Sequence, residues 1–262
     1  MVKVFPKRLF LNWLYFLLGI LLVWYLYLLI LPTKNTVLNY LYNLGYSLAF
    51  FTSAGISIYG IKILGFGAKV SKSLLFFGLA AFLYATGLVI WVYFNLVLKV
   101  AIPYPSVADI FFVAFYPVLG LGILTVLGTF VTISNKKVIF ETMFLAIVAV
   151  FLINILNRPD LSANLPVLTK VLNVAYPLFD VLLISLTYVS IRISSRKIEP
   201  SLMLIICALI FQAAGNLLFS YRSATNIYWN GDIADFFLTM AGISIAFAVI
   251  NIIDRVHRNA NY

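Results

Sequence analysis

Eight acidic residues occur among 262, and one of them, Asp180, falls where a carboxyl group needs a reason. It lies about 12 residues into an apolar run, roughly 18 Å along a helix that rises about 1.5 Å per residue. That depth is near the middle of a hydrocarbon core about 30 Å thick. An aspartate there costs about 2.5–3.5 kcal/mol or more unless it is protonated, paired or hydrated. Asn173, Tyr176 and Asp180 are spaced i, i+3, i+7 and share one helix face. Pro177 leaves the carbonyl of Asn173 without its helical partner, and Pro117 does the same for Val113, next to Tyr116. A later run adds Gln212 and Asn216, one turn apart, with Arg222 beyond them. Pointed inward together, these groups would form an outward-opening polar pocket for a ligand, a proton or an ion. The competing reading is interhelical hydrogen bonding that only holds helices together.

Three further carboxylates have a local explanation. Ser106-Val107-Ala108-Asp109 and Asp232-Ile233-Ala234-Asp235 both carry capping-box spacing, and negative charge in a first turn complements the helix dipole. Capping accounts for Asp109, Asp232 and Asp235, and lining the mouth of a cavity is compatible with it. Glu141, Glu199 and Asp254 sit among basic residues at the ends of apolar runs, and Asp160 lies in a polar loop.

Several chemistries are excluded. Retinal needs a buried lysine in the last span, which has none, and haem held by two histidines is ruled out by a single His257 near the C-terminus. Ligands for a metal cluster are missing. Intramembrane aspartyl proteolysis needs Tyr-Asp on one helix and Gly-x-Gly-Asp on the next. Here Pro-Leu-Phe separates Tyr176 from Asp180, and Ile123 follows Gly120-Leu121-Gly122. No cofactor and no catalytic residue is therefore expected. The single Cys207 forbids an intrachain disulfide and is expected to be a buried, inert thiol. The aromatic residues read as interfacial belts and packing.

The elements that must position these side chains are eight apolar stretches, at about 9–31, 37–61, 73–98, 108–131, 138–156, 168–191, 201–221 and 231–253. Each reaches the roughly 20 residues that a membrane-spanning helix requires, the fifth only just. The expected fold is an all-α integral membrane protein, a single domain of eight transmembrane helices. Pro32, Pro103, Pro105, Pro166 and Pro200 fall at the breaks between runs. The first run has a basic flank but is too long for a cleaved signal peptide, so it is expected to remain as an anchor. About nine residues follow the last span, so no soluble output domain is expected. Ala-Gly-Ile-Ser-Ile occurs at both 54–58 and 241–245, and Tyr-Pro and Ala-Asp pairs recur in even-numbered spans. These echoes point to repeated helical hairpins.

Charge sets the expected orientation. With the N-terminus cytoplasmic, that side holds Lys3, Lys7, Arg8, Lys62, Lys69, Lys72, Lys136, Lys137, Arg192, Arg196, Lys197, Arg255 and Arg258, or 13 of the 18 basic residues. Lys34, Lys99, Arg158, Lys170 and Arg222 remain for the other side. The positive-inside rule then places both termini in the cytoplasm of a cell-membrane protein. The net charge of +10 reads as topology and attraction to anionic lipid headgroups. Nucleic acid is not an expected partner, because no basic face lies on a soluble domain.

Some of these segments look familiar as a set. Pro105-Ser106-Val107-Ala108-Asp109-Ile110-Phe111-Phe112 with Tyr116-Pro117, then Tyr176-Pro177-Leu178-Phe179-Asp180, then Gly231-Asp232-Ile233-Ala234-Asp235, resemble in the same order three elements of prokaryotic multi-span sensory regions. Those regions precede diguanylate cyclase or histidine kinase domains, and the similarity covers roughly residues 75–253. The resemblance implies a membrane-embedded input module with Asp109, Asp180 and Asp235 as its polar determinants. The chain departs from it by ending after the bundle, which implies signalling through a separate protein. The leading expectation is thus a non-enzymatic, receptor-like or accessory membrane protein with a protein partner, its oligomeric state open. The alternatives are a small proton- or ion-coupled transporter using Asp180 and a structural subunit of a larger membrane complex.

Overall fold

A computed structural model of the chain describes residues 5–130, 165–193 and 198–260, together with Phe140, Glu141, Met143, Phe144, Ala146, Ile147, Val150 and Phe151. Among them are seven long helices: α1 (Lys7–Ile30), α2 (Val37–Leu64), α3 (Lys69–Leu96), α4 (Val107–Phe130), α5 (Val167–Ile193), α6 (Glu199–Ala224) and α7 (Ile233–Ala260). The described residues contain no strand. All seven helices are long and apolar enough to cross a membrane, which makes the chain a helical, multi-pass membrane protein. Most of the fifth expected span, 138–156, lies outside the described residues, and those of it that are described are helical.

Local signals set the helix ends. Asn39 reaches back to the Thr36 amide at 3.0 Å at the start of α2. Gly65 ends that helix at φ 84° while its amide returns to the Ile61 carbonyl, a backbone shape that glycine adopts without strain. Pro200 sits in the first turn of α6, where its missing N–H costs nothing. The apolar run of the last span stops near 253, yet α7 continues to Ala260. Hydropathy ends there because the sequence turns polar. The helix does not, because Asn251–Arg255 (2.8 Å) and Asp254–Arg258 (3.1 Å) pair one turn apart.

Helices α2 to α7 each pack on the next, and α7 closes back onto α2, giving a ring of six. Helix α1 rests outside the ring against α2 and α7. It is the least buried of the seven and α7 the most. The Lys7 ammonium meets Asp254 at 2.7 Å, joining the start of α1 to the end of α7. Sequence neighbours run antiparallel, apart from α4 and α5. In that pair Asp109 meets Tyr176, and seven residues on Tyr116 shares the Asn216 amide with Asp180. Gly120 then faces Leu183. The contacts advance together along both helices, so α4 and α5 are parallel.

The interior is aromatic, with Tyr42, Tyr46, Phe50, Phe77, Phe115 and Tyr116 among the largest fully buried side chains. Cys207 corrects one expectation. It is exposed on the bundle's perimeter, because on α6 it falls between the buried positions Ile205 and Ala208 and points away from the ring.

Candidate functional site

The ring encloses a cavity of about 50 Å³, walled by all six of its helices and by the loops that precede α4 and α7. A single ordered water needs roughly 10–15 Å³, so the space admits several waters or a small solute. The cavity lies in the half of the bundle where α4, α5 and α7 begin.

Asn230 builds the roof. It is completely buried although it sits in the loop between α6 and α7. Its Oδ1 accepts from Asn43 Nδ2 and Trp91 Nε1, both at 2.8 Å. Its Nδ2 donates to the Ala101 carbonyl at 2.7 Å and to Asn35 Oδ1 at 3.1 Å. Its backbone amide also reaches Asn35 Oδ1, and its carbonyl accepts from Asn39 Nδ2. One side chain thus ties α2, α3 and both neighbouring loops together. Gly231 follows at φ 87°, a conformation that favours glycine.

Two of the three capping aspartates, Asp109 and Asp235, face this cavity. Asp109 Oδ2 accepts the Ser106 amide at 2.7 Å, as box spacing predicts, while Ser106 Oγ accepts the Ala108 amide, one residue short of the box partner. Asp109 Oδ1 at the same time takes the Tyr176 hydroxyl at 2.6 Å. Asp235 reaches back to the amide of Gly231, one residue earlier than box spacing predicts, and accepts the Tyr228 hydroxyl at 3.0 Å. Capping and lining therefore coexist at both positions.

Asp232 and Arg222 do something else. Asp232 Oδ1 caps α7 through the Ala234 amide at 2.7 Å, and Oδ2 pairs with Arg222 Nε at 2.5 Å. Burial pushes the Asp232 carboxyl above its ordinary range, opposed by that amide and by the guanidinium. Arg222 also donates to the Ile227 carbonyl. The pair braces the 225–232 loop and is not part of the cavity wall.

The expected polar face of α5 is inward throughout. Asn173, Tyr176 and Asp180 are all buried, and Asn173 accepts the Tyr104 hydroxyl at 2.6 Å. Asp180 is fully buried, with Oδ2 accepting from Asn216 Nδ2 at 2.8 Å. The same amide reaches the Tyr116 hydroxyl at 2.7 Å. Asp180 lies behind the wall and touches the cavity only through Asn216, which lines it. Gln212 lines it directly, its Nε2 donating to the Tyr84 hydroxyl at 3.1 Å. Oδ1 of Asn43, Oε1 of Gln212 and Oδ1 of Asp180 are buried with no hydrogen-bond partner. Among the described residues no cationic side chain lies within ion-pair distance of Asp109, Asp180 or Asp235.

Sequence reading missed Asn43, Tyr84, Trp91, Tyr104, Tyr228 and Asn230. The signal for Asn43 was present, since Asn39, Asn43, Tyr46, Ser47 and Phe50 follow helical spacing along one face of α2. Nothing in the order of residues marks the Tyr228-Trp229-Asn230 loop as buried.

Fold and cavity together define a class, that of polytopic helical membrane proteins with a small cavity between their helices. In comparison with known proteins, no family model, curated sequence or solved structure matches the chain.

Proposed function

We propose that the protein is a receptor-like membrane component that binds a small ligand in this cavity and passes the bound state to a separate partner protein. The observation that carries the reading is the composition of the wall: six helices converge on one small space and leave buried polar atoms of Asn43 and Gln212 unused. Buried polar atoms in proteins are nearly always paired, so two on the wall of one cavity argue for a ligand that pairs them. A ligand held between these helices would also alter how they pack, and that change is what a partner in the membrane or cytoplasm would read. The carboxylates and tyrosines hydrogen-bond one another and leave no activated nucleophile, which favours binding over catalysis.

In this reading the bundle has eight crossings of the cell membrane with both termini cytoplasmic. Parallel α4 and α5 support it, because a chain that leaves one helix and enters a parallel neighbour has to return across the membrane between them. The distribution of lysine and arginine supports the orientation.

A proton-coupled carrier is the second reading, favoured by one observation: Asp180, fully buried, communicates with the cavity through the Asn216 amide. Gentle solubilisation and purification separate the two. A stoichiometric protein partner is the outcome expected for a receptor component, whereas solute or proton flux by the isolated chain in liposomes would replace that reading with transport.

A further inference from the structure

Resting on the ligand-binding reading above, we infer that the cavity takes a small organic ammonium ion. Asn43 Oδ1 and Gln212 Oε1 are the unpartnered atoms on its wall, and the contacts of Asn230 fix Asn43 Oδ1 as an acceptor, so its missing partner is a donor. Asp109 and Asp235 bring two carboxylates to the same wall, on different helices, with no cationic side chain beside either among the described residues. An anion entering the space would meet both carboxylates, whereas an ammonium brings its donors and its charge to the side they favour.

The remainder of the wall decides between kinds of cation. Tyr84 and Trp91 bring aromatic rings to the wall, and aromatic rings attract ammonium groups. A hard metal ion needs about six oxygen ligands in place of its water shell, and indole and phenol faces do not supply them. An alkylammonium satisfies both halves of the wall, N–H groups toward the acceptors and carbon toward the rings. The size of the cavity restricts the ligand to a few heavy atoms.

The test uses the full chain in nanodiscs of neutral phosphatidylcholine, with calorimetric titration of methylammonium and ethylammonium chloride against ethanol, sodium chloride and sodium acetate. Saturable binding of an alkylammonium is expected, at least about tenfold tighter than the neutral, metal or anionic probes, and weakened at least about fivefold in Asp235→Asn and in Gln212→Leu. Equal or tighter binding of ethanol, sodium or acetate would overturn the ammonium assignment while leaving a ligand cavity in place. Saturable binding of none of the probes would overturn the assignment, and unaltered reactivity of a cavity cysteine in their presence would then bring down the ligand-binding reading as well. The wild-type comparison decides by itself, so the outcome does not depend on either variant folding.

Discussion

Asn230 and Asp180 show how differently single residues disclose themselves. Removing the Asn230 side chain in Asn230→Ala would orphan the Asn43 amide and the Trp91 indole, both bonded to its Oδ1, and the Ala101 carbonyl. Each unpaired buried group costs about 1–3 kcal/mol, so thermal unfolding in nanodiscs should show a loss of about 3 kcal/mol or more. Asp180→Asn is expected to fold with stability within about 1 kcal/mol of wild type, because an amide oxygen can accept the same Asn216 N–H. It should also leave ligand affinity nearly intact, since Asp180 is set behind the wall. Loss of coupled flux in Asp180→Asn liposomes would move the account to the carrier reading. Asp180 was legible in the sequence because a carboxylate deep in an apolar run has few places to go. Asn230 was not, because an asparagine in a loop is ordinary and its burial depends on contacts with residues far away in the chain.

Elements were legible wherever length and hydropathy dictate them, which is why the expected spans and the helices nearly coincide. Their packing was not, and the repeated Ala-Gly-Ile-Ser-Ile makes the reason concrete. A Cβ on Gly242 would lie 2.6 Å from the Phe50 ring, whereas Gly55, at the same place in the earlier copy, has nothing within 4 Å. Phe50 cannot retreat, because it stacks on Tyr84 at 4.3 Å and meets Phe115 edge-on at 6.4 Å. Identical pentapeptides thus serve a tight α2–α7 contact in one copy and an open face in the other. Gly242→Ala should lower stability by about 1–3 kcal/mol through overpacking. Gly55→Ala should be neutral or slightly stabilising, since alanine favours helix by up to about 1 kcal/mol. Melting temperatures of the two variants in one detergent check the contrast, and equal shifts would contradict the tight α2–α7 contact.

At the scale of the whole molecule, charge and the count of spans set an expected orientation. Ring closure by α2 and α7, and the peripheral place of α1, left no trace in hydropathy because side-chain periodicity is blind to which helix a face will meet. Reporter fusions address the path of the chain. One after Ser134 should report the cytoplasm and one after Ala163 the outside, and the reverse at both positions would overturn the eight-crossing arrangement. The central claim, that ligands reach the small cavity between the helices, is tested most directly by cysteine accessibility. Cys207→Ala first removes the exposed native thiol. Ser220→Cys then places a thiol on the cavity wall, and Ser73→Cys places one at a fully buried position near the start of α3 as the reference. With a small, membrane-impermeant, cationic methanethiosulfonate added to intact cells, the account predicts that Ser220→Cys reacts from outside and much faster than Ser73→Cys. Reaction from the cytoplasmic side alone, or no faster than at Ser73→Cys, would contradict it.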